Sequence, residues 1–135
     1  MFKNAHRILF PVSGSLYAIP YILYDVPCYV IYMHNTLITT TILFWGYSGA
    51  KNGTIIHKID AYVARITFLH WVVYGLCYTN RDKFVMIFLI LMFLNFARIG
   101  DYYSRQKWLC SLNICNHLGV HLTGLIYIIY CLHAF

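Results

Sequence analysis

The sequence alternates between long apolar stretches and short polar ones, and each apolar stretch has the length of a helix that crosses a bilayer. The most apolar, residues 84–99, reads FVMIFLILMFLNFARI. A hydrocarbon core of ~30 Å requires about 20 helical residues. We therefore predict an all-α transmembrane helical bundle of about five spans, forming one domain over residues 1–135. The predicted spans are 8–24, 28–47, 60–78, 84–99 and 112–132.

The first predicted span is the weakest of the five. Pro11, Gly14 and Pro20 interrupt residues 8–24, although no charge does. If this segment does not cross, the bundle has four spans. A cleaved signal peptide is a further alternative because basic residues precede the segment, but no small-x-small cleavage motif stands near its end.

The composition supports a membrane protein. Only 10% of the residues are charged and 61% are hydrophobic, whereas a soluble domain has about 25% charged residues. The net charge of +6 comes from basic residues that stand singly or in pairs between apolar runs. They form no patch that would follow a phosphate backbone, so we expect membrane lipid and no nucleic acid as partner.

The Lys and Arg residues predict the orientation of the bundle. With the N-terminus inside, seven of them lie on the inner side and only Arg81 and Lys83 on the outer side. Because cytoplasmic loops are enriched in Lys and Arg, we predict a cytoplasmic N-terminus and an outside C-terminus. The seven inner residues are Lys3, Arg7, Lys51, Lys58, Arg98, Arg105 and Lys107.

Histidines within the predicted spans are the first candidate site. His117 and His121 are four residues apart, so they share one face of a helix, which Asn113 and Gly124 extend. Paired imidazoles at this spacing suit zinc. The alternative is a hydrogen-bonded face between helices, built from small and polar residues.

A second histidine pairing predicts a haem site. His70 lies near the middle of its span, at a depth similar to that of His121. Two histidines from different helices can ligate haem iron axially. His34, by contrast, is expected to hydrogen-bond within its Thr-rich neighbourhood.

A polar cluster is predicted at the inner end of the bundle. Ser48, His57 and Asp60 are candidate catalytic residues that would act with the two histidines of the last span. The alternative is a structural network of caps and ion pairs, in which Asp60 favours the helix N-terminus and Arg98 pairs with Asp60 or Asp101.

Two neighbouring segments carry a resemblance. Thr41-Ile-Leu-Phe-Trp45 and Ile56-His-Lys-Ile-Asp60-Ala-Tyr-Val-Ala64 resemble small uncharacterised multi-pass membrane proteins of large algal and giant DNA viruses. This likeness implies a viral, host-cell or organellar membrane and assigns no chemistry.

The order of polar residues is also similar to that of the CREST membrane hydrolases, which include alkaline ceramidases. Asp60 and the pair His117 and His121 match that group's order. Thr41 stands where its Ser is expected and Trp45 where its first His is expected, and the chain is two spans shorter than the group's seven-helix fold. The resemblance implies a zinc-dependent lipid hydrolase.

Two shorter fragments resemble the haem-b anchor subunits of succinate dehydrogenase. They are His6-Arg7-Ile8 and Gly119-Val-His121-Leu. This likeness implies a haem-b-binding membrane anchor.

The leading functional prediction is a non-catalytic protein that acts as a structural or accessory component of a membrane assembly. The loops are too short for a soluble domain, and no complete catalytic set is present. Its expected partners are lipid and other membrane subunits. The zinc-dependent hydrolase and the haem-b anchor are the alternatives.

Overall fold

The computed structural model describes residues 4–133. Lys3, one of the seven basic residues predicted on the inner side, lies outside this range. The described chain is helical throughout its regular structure, with no strand, which confirms the all-α prediction. It forms five helical stretches, each overlapping one predicted segment. The elements are α1 (His6–Ser15), a 3₁₀ turn (Leu16–Ala18), α2 (Ile19–Leu23), α3 (Cys28–Thr41), a π-helical stretch (Ile42–Tyr47), α4 (Ile55–Tyr78), α5 (Lys83–Gln106) and α6 (Ser111–Leu132).

A proline explains the 3₁₀ turn between α1 and α2. Pro20 has no N–H, so the carbonyl of Leu16 cannot receive the usual bond from the residue four positions later. The N–H of Ile19 donates to that carbonyl instead. The first stretch therefore continues through residues 6–23 as a helix whose hydrogen bonding changes at Leu16–Ala18.

The second stretch widens before it ends. After Thr41 the helix adopts π geometry, and the N–H of Ser48 donates to the carbonyl of Leu43, 2.8 Å away. Gly49 and Ala50 then take positive φ angles of 75° and 52°, a left-handed conformation that commonly terminates helices. Residues 28–47 thus form one continuous helical stretch.

Two helices extend beyond the predicted spans. α4 begins at Ile55 rather than near residue 60, because Thr54 caps it: the N–H of His57 donates to Thr54 Oγ1 at 3.4 Å. α5 continues to Gln106 instead of ending at residue 99. Polar residues can continue a helix beyond its apolar run, so the apolar pattern underestimates the length of these two helices.

The chain divides into two compact units, with the boundary between Leu69 and His70 inside α4. In the first unit, α1 packs on the π-helical stretch. The ring centroid of Trp45 lies 4.4 Å from that of Phe10 and 4.6 Å from that of Phe44. All three side chains are at most 2% exposed, so this aromatic cluster forms the centre of the first unit.

In the second unit, α5 and α6 make the most extensive helix pair of the described chain. Glycines allow close approach: a Cβ on Gly119 would lie 2.7 Å from the ring of Phe96. The Asn113 amide donates to the carbonyl of Gly100 at 3.0 Å. Small residues and polar side chains therefore join these helices, as in membrane helix pairs.

The turn between α4 and α5 is fixed by reciprocal caps. Asp82 Oδ1 accepts hydrogen bonds from the N–H groups of Phe84 and Val85, at 2.8 and 3.3 Å. Lys83 Nζ donates to the carbonyls of Gly75 and Thr79, at 3.0 and 2.6 Å. Each helix end thus receives the charge that its dipole favours.

Two helices, α5 and α6, are long and apolar enough to cross a membrane. Their most apolar 18-residue windows have mean hydropathies of 1.9 and 1.4.

We predict that Asp82→Ala destabilises the protein, because it removes the N-cap of α5. Loss of such a cap costs about 1 kcal/mol, so the midpoint of thermal unfolding should fall. Asp25→Ala is the matched control, since Asp25 is also exposed and lies outside any helix. Equal midpoints for the two variants would contradict the capping role.

Candidate functional site

The buried carboxyl group of Asp60 is the centre of the polar site in the first unit. Asp60 is 8% exposed, and Thr41 Oγ1 donates a hydrogen bond to its Oδ1 at 3.2 Å. The side chains of Thr40 and Trp45 also lie beside this carboxyl group, and both are buried. Asp60 therefore faces two hydroxyl groups and an indole.

A glycine on α1 lets Thr41 occupy this position. A Cβ on Gly14 would lie 2.7 Å from Cγ2 of Thr41 and 3.2 Å from its Cβ. The branched Thr side chain cannot move away from such a contact by a simple change of rotamer. The close packing of α1 on α3 thus holds the Thr41 hydroxyl against Asp60.

Within the described part of the first unit, residues 4–69, no basic side chain forms an ion pair with Asp60. In the second unit, an ion pair joins Asp101 and Arg105 at 2.9 Å, one turn apart on α5 and largely exposed. The expected pairing of Arg98 with Asp101 is therefore replaced by Arg105. The sequence did not identify Thr41 as the hydrogen-bond donor to Asp60, although the Thr-Thr pair at 40–41 was visible.

The other two candidate catalytic residues lie beside Phe44. The Ser48 hydroxyl donates to the carbonyl of Phe44 at 2.7 Å. The His57 ring stacks on the Phe44 ring, with centroids 4.7 Å apart, and its Nδ1 accepts the N–H of Gly53 at 3.0 Å. These contacts are those of a helix end and its loop, and the catalytic role stays a prediction.

His34 hydrogen-bonds to a residue outside its Thr-rich neighbourhood. It is fully buried, and its Nδ1 lies 2.7 Å from the carbonyl of Tyr17. Since a carbonyl only accepts, Nδ1 carries the hydrogen. Tyr17 belongs to the 3₁₀ turn, so His34 binds the first stretch where its regular hydrogen bonding is interrupted.

The structure brings His117 and His121 together in the second unit. Their ring centroids are 4.8 Å apart, as the four-residue spacing predicts. Neighbouring Asn113 also accepts the N–H of Leu109 at 3.3 Å. The predicted face of α6 therefore exists, and its Asn113 end joins α6 to α5.

His70, the second predicted haem ligand, lies among aromatic rings of its own helix. Its ring stands edge-on to Trp71 at 5.2 Å and parallel to Tyr74 at 6.3 Å. His70 and His121 belong to the same unit. Their use as a haem pair stays a prediction.

A zinc site needs several ligand side chains close together. Across residues 4–133, no group of three or more His, Cys or Asp side chains could hold a metal ion. Zinc sites use three or four protein ligands. Zinc on His117 and His121 would therefore need further ligands from outside the described part of the chain.

No protein family, curated protein or solved structure matches this chain.

The histidines near the aromatic cluster generate a pH prediction. Burial lowers the pKa of His57, which precedes the predicted third span. Unfolded His titrates near pH 6.5, so below that pH the unfolded chain binds more protons. The contribution of His57 to stability is then complete above about pH 6.5 and decreases as the pH falls towards its folded pKa.

We expect wild type to lose more stability between pH 7.5 and 5 than His57→Phe, which keeps the stacking on Phe44 but cannot titrate. Thermal unfolding at matched ionic strength measures both profiles. Burial and the adjacent Arg7 also lower the pKa of His6, so His6→Phe should behave in the same direction. Parallel profiles for wild type and His57→Phe would contradict the prediction.

Proposed function

We propose that this chain is a multi-pass integral membrane protein in which all five helical stretches cross the bilayer. At 1.5 Å per residue, stretches such as 6–23 and α4 are about 27 to 36 Å long, which matches a ~30 Å hydrocarbon core. The loops between them are short. This geometry supports a bundle with little protein outside the membrane.

The apolar outer surface is the observation that carries the proposal. On α5, Phe84, Phe88 and Leu91 follow one helix face and are 86%, 60% and 59% exposed. Only 11% of the most apolar window of α5 is buried, whereas a core helix of a soluble protein is mostly buried. Contiguous apolar surfaces of this kind mark contact with lipid or with another protein.

The role that we propose is a non-catalytic structural or accessory component of a membrane assembly. Nearly all of the described chain is helix, so lipid and neighbouring membrane subunits are the contacts available to it. The viral or host-cell membrane implied by the sequence resemblance is compatible with this role. The positive-inside distribution supports a cytoplasmic N-terminus and an outside C-terminus.

The proposed topology is tested with reporter fusions. Alkaline phosphatase should be active when fused after residue 81 or at the C-terminus, and inactive after residue 52, where green fluorescent protein should fluoresce instead. An N-terminal tag should be protected from protease in sealed vesicles with the cytoplasmic side inside. An accessible N-terminal tag with the other results unchanged would favour four spans.

The same tagged protein tests the proposed role. After gentle detergent extraction from its native membrane, it should elute as a complex larger than its 15.8 kDa chain, with defined co-purifying subunits. A scrambled-sequence span of equal hydropathy in place of α5 controls for non-specific association. A lone monomer with enzymatic turnover would overturn the accessory role.

A cofactor-binding function is the second candidate, favoured by the contact of His117 with His121. In one form these residues hold zinc for lipid hydrolysis; in the other, His70 and His121 ligate haem b. The residues described supply too few clustered ligands for zinc alone, so a complete site would depend on an additional group. This requirement makes the candidate second to the accessory role.

Metal analysis and an absorption spectrum of the purified protein distinguish these forms. Zinc binding predicts one zinc per chain, lost in both His117→Ala and His121→Ala. Haem binding predicts a Soret band, lost in His70→Ala and His121→Ala. His133→Ala, at the end of α6, is the control for both. A colourless, metal-free wild-type protein would exclude the two forms.

A further inference from the structure

In the described part of the first unit, no cationic side chain neutralises the Asp60 carboxylate. Asp60 is 8% exposed, and no Lys, Arg or His among residues 4–69 forms an ion pair with it. A buried charge that is neither paired nor coordinated is strongly unfavourable. Its neighbours are two hydroxyl groups and an indole, all neutral, so within this unit either a proton or a cation from solution must compensate the charge.

The neighbouring hydroxyl groups have the chemistry of a hard-cation site. Oxygen ligands from carboxylates and neutral groups suit hard cations. Thr41 Oγ1 lies 3.2 Å from Asp60 Oδ1. Thr40 is also beside the carboxyl group; its hydroxyl donates to the carbonyl of Leu37 at 3.0 Å, which leaves the lone pairs of its oxygen for a ligand. One carboxylate balances one positive charge, which favours a monovalent ion over Mg²⁺ or Ca²⁺.

The main chain next to this cluster is irregular in the way that ligand sites often are. Thr40 and Thr41 are the last residues of α3, and the π-helical stretch Ile42–Tyr47 begins at the following residue. π-helical turns are rare and frequently occur at functional sites. The irregular turn also carries Trp45 to the carboxyl group.

We propose that Asp60, Thr40 and Thr41 form a binding site for a monovalent metal cation of the Na⁺ type. The carboxylate supplies the charge, and the two hydroxyl oxygens supply neutral ligands from the end of α3. Binding joins α3 to α4 within the first unit. This proposal goes beyond the accessory role. It does not depend on that role, because all three residues belong to one chain and no partner subunit is needed.

Unfolding of the purified protein in lipid nanodiscs at pH 8 tests the site. A ligand that binds only the folded state raises its stability in proportion to ln(1 + [L]/Kd). NaCl should therefore raise the unfolding midpoint more than choline chloride at equal ionic strength, with LiCl and KCl defining selectivity. Asp60→Asn should abolish the difference.

Thr41→Val preserves shape and removes one ligand oxygen, so it should weaken the apparent Na⁺ affinity by at least the ~10-fold that loss of an outer-shell group costs at metal sites. Asp101→Asn is the control, since it removes an exposed carboxylate of the second unit, and its Na⁺ response should equal that of wild type. Direct binding of radioactive ²²Na⁺ checks variants whose stability has changed.

Equal midpoints in NaCl and choline chloride, together with no saturable ²²Na⁺ binding, would overturn the proposal. So would an unchanged Na⁺ response in Asp60→Asn. A protonated-carboxyl infrared band of Asp60 at pH 8 that Na⁺ does not reduce would show that a proton is the occupant, and would also overturn it. None of these outcomes bears on whether the protein has partner subunits.

Discussion

Polar groups in an apolar solvent must find their hydrogen bonds inside the protein, and the proposed membrane environment makes this the governing constraint. The main chain meets it with helices. Several hydroxyl side chains meet it locally, by donating to the carbonyl four residues earlier on the same helix, a pattern known from other helices. Residues with this bond are Ser15, Thr36, Ser48, Thr67 and Thr79.

Other polar side chains bond to main-chain carbonyls of another element. His34 reaches the carbonyl of Tyr17 in the 3₁₀ turn, and Asn113 reaches that of Gly100 on α5. Asp60 differs from both because it is an ionisable acceptor in a buried position. Polar residues that bond to a neighbouring helix are structural, and an ionisable residue with no ion pair among the described residues of its own unit is the better candidate for function.

Much of the fold follows from the sequence because it depends on local chemistry. The apolar periods predicted five helical segments, and the cap residue Thr54 explains a helix start that hydropathy alone misplaces. The sites depend on helix rotation, which apolar segments do not encode. The hydrogen bond from Thr41 to Asp60 was therefore not predictable. The contact of His117 with His121 was, because it lies within one helix.

The π-helical stretch Ile42–Tyr47 makes the site sensitive to chain length as well as to residue identity. A wide turn accommodates one residue more than an α-helix would. Deleting one residue there would let the turn return to α geometry while the residues on either side of the stretch keep their register, whereas a deletion in a regular α-helix rotates all later residues by about 100°. The residues inside the stretch would shift, and Trp45, which lies beside Asp60, is one of them. A change of length in this short stretch therefore alters the surroundings of the carboxyl group without replacing any side chain near it.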